Sequence, residues 1–216
     1  MAVTTAFNPI EFSEAAASRP EEATSAEDSA RAGFYALFSR LLARPLDAAA
    51  IEFTRALAGD DSEFGRGIDL LASSARATTV EDATDEYNAL FVGMGAGGEL
   101  LPYASYYRTG LVYDKPLADL RGDLARLGVG VEAGTTEPED HIAFMCEVMH
   151  GLIVGSFGQP RPIEDQRAFF QAHLAPWAAR FFADLEKAKS ARLYAPLGTI
   201  GKLFTAIETE GFAADA

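Results

Sequence analysis

The polar cluster with the greatest capacity for chemistry is the run Glu137, Pro138, Glu139, Asp140 and His141. Carboxylates beside an imidazole are the groups that proteins use for proton transfer and for recognition of cations. Carboxylates in the first turn of a helix also cap free amide groups and complement the helix dipole, and this structural role is the commoner one. His141 borders an apolar stripe, and we expect the neighbouring Asp140 to raise its pKa towards the physiological range. This pair is therefore a candidate for recognition or for proton transfer.

The second candidate site is an aromatic run that contains Pro102, Tyr103, Ser105 and Tyr106. Tyrosine offers a rigid contact area with a polar tip, which suits a peptide-binding groove. The apolar pair Leu90–Phe91 just upstream is suited to form the floor of such a groove. Tyrosines at this density also fill gaps between packed helices, and composition alone favours neither interpretation.

Other kinds of chemistry find little support in the sequence. His141 and His150 are nine positions apart and so point about 180° away from each other on one helix, which disfavours a metal site with Cys146. We expect Cys146 to be a small core or boundary residue and His173 to be a structural partner near aromatic side chains. The glycine-rich stretch 93–98 lacks the Lys-Ser/Thr ending and the preceding strand of a phosphate-binding loop, so it is interpreted as a flexible connector. No nucleophile elbow is present.

These residues must be positioned by helices, because apolar residues recur at spacings of three and four along most of the chain. The pattern predicts an all-α fold of about eight to ten helices with short connections. A hydroxyl residue at 24 or 25 caps the first helix, and a capping box spans 136–139 with Pro138 inside the first turn. The expected helical stretches are Phe34 to Leu42, Ile51 to Leu57 ended by Gly59, Phe64 to Leu71, Val80 to Phe91 ended by Gly93, Leu117 to Leu127 ended by Gly128, a run ended by Gly155, and two or three more from Ile163 to Ile207.

Composition describes one globular domain. The chain has 216 residues, 49% of them apolar, and a net charge of −14. We expect a mobile arm over residues 1–24 and one helical domain over 25–216. A single cysteine indicates no oxidising compartment, and no secretory leader or spanning segment is predicted, so a cytoplasmic location is expected. The acidic balance argues against nucleic acid as a partner.

Three segments, in this order, resemble the TorD/DmsD/NarJ family of redox-enzyme maturation chaperones, and the resemblance covers roughly residues 27 to 210. The segments are Glu86-Tyr87-Asn-Ala-Leu90-Phe91-Val-Gly93, Pro102-Tyr103-Ala-Ser105-Tyr106-Tyr107 and Glu137-Pro138-Glu139-Asp140-His141-Ile142. A fourth stretch, His173-Leu174-Ala-Pro-Trp177, also fits. Family members often have Trp where Tyr87 stands.

The resemblance implies a cytoplasmic chaperone without catalytic activity. Its partner would be the catalytic subunit of a molybdoenzyme, whose twin-arginine leader or body it holds until the cofactor is inserted and export is permitted. The resemblance implies no cofactor beyond weak guanine-nucleotide binding, and either a monomer or a domain-swapped dimer. The implied leader-binding residues are Tyr87, Leu90, Phe91, Pro102, Tyr103, Ser105, Tyr106, Glu137, Asp140 and His141.

Two alternatives stay open at this stage. One is a small helical enzyme that uses Asp140 and His141 as an acid/base pair, which would need further convergent polar groups in a closed pocket. The other is a helical adaptor that binds no leader. On all three hypotheses we expect replacement of Asp140 and His141 to leave folding intact. The identity of the client does not follow from the sequence, because specificity is a small difference between similar affinities.

Overall fold

The computed structural model describes residues 25–93, 97–130 and 137–214, and within these ranges the regular secondary structure is helical, with loops and turns between the helices and no β-strand. The all-α fold class is confirmed, with ten α-helices where eight to ten were expected. The expected arm over residues 1–24 lies outside the described residues. The helices are α1 (Ala26–Leu42), α2 (Ala48–Arg55), α3 (Glu63–Arg76), α4 (Val80–Tyr87), α5 (Ala104–Thr109), α6 (Lys115–Leu127), α7 (Ile142–Val154), α8 (Ile163–Phe169), α9 (Ala178–Lys187) and α10 (Tyr194–Ala214). Two π-helical turns, Asn88–Val92 and Phe170–Leu174, continue α4 and α8.

Several helix ends follow the local sequence signals. The Ser25 side chain accepts the backbone N–H of Asp28 and so caps α1, and Gly128 and Gly155 end α6 and α7 in the left-handed conformation. The expected end of α2 at Gly59 is wrong, because that helix ends at Arg55.

Gly59 instead permits a close contact with the start of α3. A Cβ atom placed on Gly59 would overlap the backbone of Gly65. The missing side chain at Gly59 therefore serves the approach of two backbones rather than the end of a helix.

The start of α7 also differs from the expectation. A helix with Pro138 in its first turn was predicted, yet α7 begins at Ile142, and Thr136 of the predicted capping box lies outside the described residues. The reason is a tertiary contact. The backbone of Asp140 and Ile142 pairs with the segment before α5, because Ala104 N–H donates to Asp140 O and Ile142 N–H donates to Pro102 O, each at 2.9 Å. This pairing, together with a turn in which His141 N–H donates to Pro138 O at 3.1 Å, delays the start of the helix to Ile142.

Helix α7 lies at the centre of the packing. Eleven of its thirteen residues are buried, and it packs along α1, while α9 packs along α10 and α10 also contacts α3. One hydrophobic cluster runs from α1 to α10. Its largest fully buried side chains include Tyr35, Phe38, Trp177, Phe181 and Tyr194.

Close contact between α9 and α10 depends on glycines in α10. A Cβ atom on Gly198 would lie 2.4 Å from the backbone nitrogen of Glu186 and 2.7 Å from the carbonyl oxygen of Phe182. A Cβ atom on Gly201 would overlap the Phe182 ring. These two helices can therefore approach each other only because α10 lacks side chains on this face.

We expect Gly198→Ala to lower the free energy of unfolding by about 1–3 kcal/mol, because the new methyl group meets backbone atoms that cannot turn aside. The matched control is Gly122→Ala in α6, where nothing lies within 4 Å of the added Cβ. Helix propensity predicts that this control raises stability by about 0.5–1 kcal/mol. Urea denaturation followed by circular dichroism measures both. Equal effects of the two substitutions would show that α9 and α10 are not packed as described.

Candidate functional site

Asp140 is a buried clamp rather than an exposed acid. Its exposed fraction is 0%, and its Oδ2 atom accepts hydrogen bonds from Ser105 N–H at 2.8 Å and from the Ser105 hydroxyl. Its Oδ1 atom has no hydrogen-bond partner among the described residues. In this conformation the carboxylate fixes the start of α5 and does not face a ligand.

His141 is the N-cap residue of α7, and its exposed fraction is 5%. Its Nδ1 atom accepts the backbone N–H of Ala143 at 3.1 Å, which requires an unprotonated nitrogen. Burial lowers the pKa of His141 to about 4. The expectation that Asp140 raises this pKa is therefore wrong, since the Asp140 carboxylate is engaged by Ser105 and burial of the ring dominates. At neutral pH the ring is neutral.

Tyr103 and Glu137 form a hydrogen-bonded pair at the partly exposed edge of the predicted site. Both are half-buried, and the Tyr103 hydroxyl donates to Glu137 Oε2 at 2.6 Å. Burial, together with the carboxylate of Glu137, raises the pKa of Tyr103 well above its usual range. The Tyr103 ring packs edge-on against the His141 ring at a centroid distance of 5.3 Å. The two predicted segments therefore meet at one place.

The segment that contains Tyr87, Leu90 and Phe91 supports this place from within the core. Tyr87 is buried and its hydroxyl donates to Leu42 O at 3.3 Å, while the exposed fraction of Leu90 is 0%. Burial, with a smaller contribution from the charge of Glu137, raises the pKa of Tyr87. Phe91 is half-buried and packs edge-on against Tyr87 at 5.0 Å. Of these three side chains, Phe91 is the one that a partner reaches most readily.

The glycines that follow this segment allow the chain to fold back onto it. Gly93 has a φ of 69°, and a Cβ atom on Gly98 would lie 2.4 Å from Leu90 O. The returning chain donates hydrogen bonds from Glu99 N–H to Ala89 O and from Leu100 N–H to Leu90 O. Gly93 and Gly98 therefore serve a close backbone approach rather than the flexible connector that was expected, and residues 94–96 lie outside the described residues.

Two acidic residues that are not among the predicted site residues, Glu86 and Glu99, hold the start of α10 against this region. The carboxylates of Glu86 and Glu99 accept five backbone N–H groups, those of Lys189, Ser190, Arg192, Leu193 and Tyr194. The donors lie between 90 and 108 positions away in the chain, so no local spacing signals these contacts. Glu86 is a positioning residue within the first motif.

The predicted site divides by exposure into a scaffold and a surface. Tyr106 is the member with the greatest exposure, 41%, and Phe91, Tyr103 and Glu137 are half-buried. The remaining six are buried: Tyr87, Leu90, Pro102, Ser105, Asp140 and His141. The structure thus joins the second and third motifs directly, places Tyr87 of the first motif within electrostatic reach of Glu137, and exposes a minority of the predicted side chains.

Cys146 and His173 have the structural roles that the sequence suggested. Cys146 is buried. His173 is also buried, and its Nε2 atom lies 2.7 Å from Asp123 Oδ2, while its carbonyl accepts the Trp177 indole N–H at 2.6 Å. Burial lowers the pKa of His173 to about 4. Across the described residues no cluster of three or more metal-ligating side chains is found, and no helix combines the length and apolar character needed to cross a membrane.

A groove of about 510 Å³ lies elsewhere, between α1, α3, α8 and α10, and sequence patterns gave no sign of it. Phe34, Phe64 and Phe204 contribute to its walls. Arg31 also lines it, and its guanidinium is paired with Glu208 at 2.7 Å. The groove lies at the C-terminal half of α10, roughly 20 Å from the end that Glu86 holds. It is separate from the predicted site.

The fold has a counterpart of known structure. A redox enzyme maturation protein from Archaeoglobus fulgidus superposes with a TM-score of 0.55 over 82% of this chain and 93% of that chain, at 22% sequence identity. The chain therefore shares the all-helical fold of that protein. Residues 42–183 match the family model described as nitrate reductase delta subunit, and the chain belongs to this family.

Curated relatives agree with this assignment. Chaperone protein TorD of Vibrio atlanticus is 28% identical over 73% of this chain and 79% of that protein, and the TorD protein of Shewanella amazonensis is 28% identical over 74% of this chain and 68% of that protein. A shorter match, 38% identical, covers 41% of the TorD protein of Vibrio vulnificus. The family resemblance drawn from the three motifs is confirmed. The relatives are named as chaperones, which supports the expectation that the chain is not an enzyme.

Burial of Asp140 overturns the expectation that its replacement leaves folding intact. We expect Asp140→Ala to lower the free energy of unfolding by about 2–4 kcal/mol, because Ser105 N–H then stays buried without a partner. Ser105→Ala removes the hydroxyl donor alone and should cost about 1 kcal/mol. Urea denaturation of both variants checks this order. An Asp140→Ala protein as stable as the wild type would contradict the buried clamp.

The low pKa of His141 predicts loss of stability on the acid side. The folded ring stays neutral down to about pH 4, whereas the unfolded ring binds a proton below about pH 6.5, so the contribution is present above pH 6.5 and is lost as pH falls towards 4. The full loss is about 3 kcal/mol. His141→Asn keeps a capping side chain and removes the titration. We expect unfolding free energies measured between pH 7.5 and 4 to fall less steeply for this variant, by about one proton. Identical slopes would refute the shift.

Proposed function

We propose that this chain is a cytoplasmic, system-specific chaperone that binds the twin-arginine leader, or the body, of a molybdoenzyme catalytic subunit during cofactor insertion and before export. The observation that carries the proposal is membership of the nitrate reductase delta subunit family over residues 42–183. Relatives named Chaperone protein TorD support the chaperone role. The leader as ligand, and the stage of cofactor insertion, follow from the resemblance of the three motifs.

The site supplies a physical reason for leader binding. A twin-arginine leader combines basic residues with an apolar helical segment, and Glu137 offers a half-buried carboxylate hydrogen-bonded to Tyr103. Phe91 adds a half-buried ring that packs against Tyr87. The net charge of −14 attracts a basic peptide at longer range. We assign leader contact to Phe91, Tyr103, Tyr106 and Glu137. The six buried members of the predicted site position these four side chains.

The acid/base enzyme has no geometric support in the described residues. Its proposed pair is divided, because the Asp140 carboxylate is engaged by Ser105 and the His141 ring caps α7 in its neutral form. The adaptor hypothesis differs from the chaperone hypothesis in one measurable property, the binding of a leader. Leader titration therefore decides between them.

We expect calorimetric titration with synthetic leaders to show saturable binding to one of them. The panel comprises leaders of dimethyl sulfoxide or trimethylamine oxide reductase, formate dehydrogenase and nitrate reductase, each measured at two salt concentrations. Higher salt should weaken binding, because basic residues contact an acidic protein. Glu137→Gln should raise the Kd about 3- to 10-fold and reduce the salt dependence, since it removes one partly exposed charge contact.

The matched control for this titration is Glu63→Gln, which removes an exposed carboxylate from α3. It changes the net charge equally and should leave the Kd within about 2-fold of the wild type. If Glu63→Gln and Glu137→Gln weaken binding equally, the overall charge acts and the assignment of Glu137 is wrong. Absence of binding to any leader at either salt concentration would contradict leader recognition and leave recognition of the client body or the adaptor.

A further inference from the structure

A surface of large apolar side chains lies between α5 and α6. Tyr106, Leu111, Val112 and Tyr113 are 41%, 65%, 41% and 69% exposed, respectively. We call these four residues the 106–113 patch. Single exposed apolar residues are ordinary on a protein surface, whereas a contiguous group marks a place of interaction.

The backbone that carries the patch is held by hydrogen bonds. Gly110 N–H donates to Tyr106 O at 2.8 Å and ends α5 in the left-handed conformation. The Thr109 hydroxyl donates to Ser105 O at 2.9 Å, and Asp114 caps the start of α6. This hydrogen bond joins Tyr106 to Gly110, the residue directly before Leu111, so Tyr106 and Leu111 lie close together. The apolar side chains are therefore presented to solvent by a fixed turn.

Tyr113 has a strained backbone conformation, and its side chain makes little packing contact with the rest of the chain to offset the strain. Its φ is 59°, and among the described residues it is the one non-glycine residue with positive φ. The left-handed region is unfavourable for a residue with a Cβ atom. Because Tyr113 is 69% exposed, packing within the chain contributes little to stabilise this conformation. Strain of this kind is concentrated at segments that contact ligands.

The patch is continuous with the proposed leader site. Tyr106 belongs to the predicted site, and Tyr103, the N-cap residue of α5, lies three positions before it, about one helical turn away. Tyr103 in turn is hydrogen-bonded to Glu137. Among the described residues, Glu137 forms no ion pair with a Lys or Arg of the chain. An apolar surface thus lies beside a carboxylate that is available to a basic group.

The size of the patch suits a peptide segment better than a second copy of the chain. Its four side chains expose on the order of 400 Å². A stable dimer of standard size buries about 800 Å² on each partner. The apolar face of a short helix or an extended segment matches the smaller area.

We propose that the 106–113 patch binds the apolar segment of the client leader, while Glu137 binds the basic residues that precede that segment. This inference rests on the proposed function and adds to it a second contact surface. Glu137 and the 106–113 patch make different kinds of contact. The Glu137 carboxylate attracts the basic residues of the leader, and the patch removes the leader's apolar side chains from water.

The test uses the full chain and a fluorescent leader identified by the titration above. Leu111→Ser should raise the Kd about 5- to 10-fold, because a large apolar contact is lost, and should leave the salt dependence unchanged. Tyr113→Gly should also raise the Kd, yet leave the midpoint of thermal unfolding unchanged or raised, since glycine adopts a positive φ without strain. A variant that binds worse while being at least as stable cannot owe its effect to misfolding.

The control is Leu70→Ser, which removes a side chain of similar exposure, 59%, from α3 and should leave the Kd unchanged. If the wild type binds the leader and the Leu111 and Tyr113 variants bind it equally well, the patch is not a docking surface and the proposed function stands. If the wild type binds no leader, the leader-binding part of the proposed function fails, and this inference fails with it. If Leu111→Ser changes the sedimentation of the free protein from dimer to monomer, the patch joins two copies and the inference is overturned.

Discussion

The structure around the candidate site depends on the pairing of residues 102–104 with residues 140–142. Two backbone hydrogen bonds join these segments, and the Asp140 carboxylate closes the contact by accepting the N–H and hydroxyl of Ser105. The pairing fixes where α5 and α7 begin. Because α7 is the most buried helix and packs along α1, a tertiary contact between two loop segments determines how the central helix enters the core.

Burial of a carboxylate destabilises the folded protein unless hydrogen bonds replace those that it made with water. Asp140 obtains two bonds from Ser105, and the neutral His141 ring caps α7 without a charge. Together they hold Tyr103 beside Glu137 at the edge of the core. The motif residues that first suggested chemistry are thus chiefly the frame that orients a small number of partly exposed side chains.

Sequence patterns correctly predicted features that depend on local interactions, such as several helix ends. They failed for features that depend on contacts between segments far apart in the chain. Apolar periodicity and glycine ends predicted the extent of α6 and the end of α7, and Ser25 lay within the predicted cap. The start of α7 was wrong because a tertiary pairing outweighed a local capping pattern. The pKa of His141 was wrong because an acidic neighbour in sequence does not reveal burial or the direction of its carboxylate. The contacts of Glu86 with α10 join residues 106 to 108 positions apart, which no window of sequence contains.

Electrostatic attraction acts over a longer distance than apolar contact, and in this protein the two arise from different parts of the chain. The acidic excess is spread over the whole chain, whereas the site itself offers one half-buried carboxylate, Glu137, among aromatic side chains. A diffuse negative field draws any basic peptide and speeds association, but it distinguishes poorly between leaders that all carry arginines. Under the proposed function, discrimination between leaders would come from short-range contact with what differs between them, the size and order of their apolar residues. The exposed Tyr106 and the adjoining turn are the part of the surface suited to that comparison.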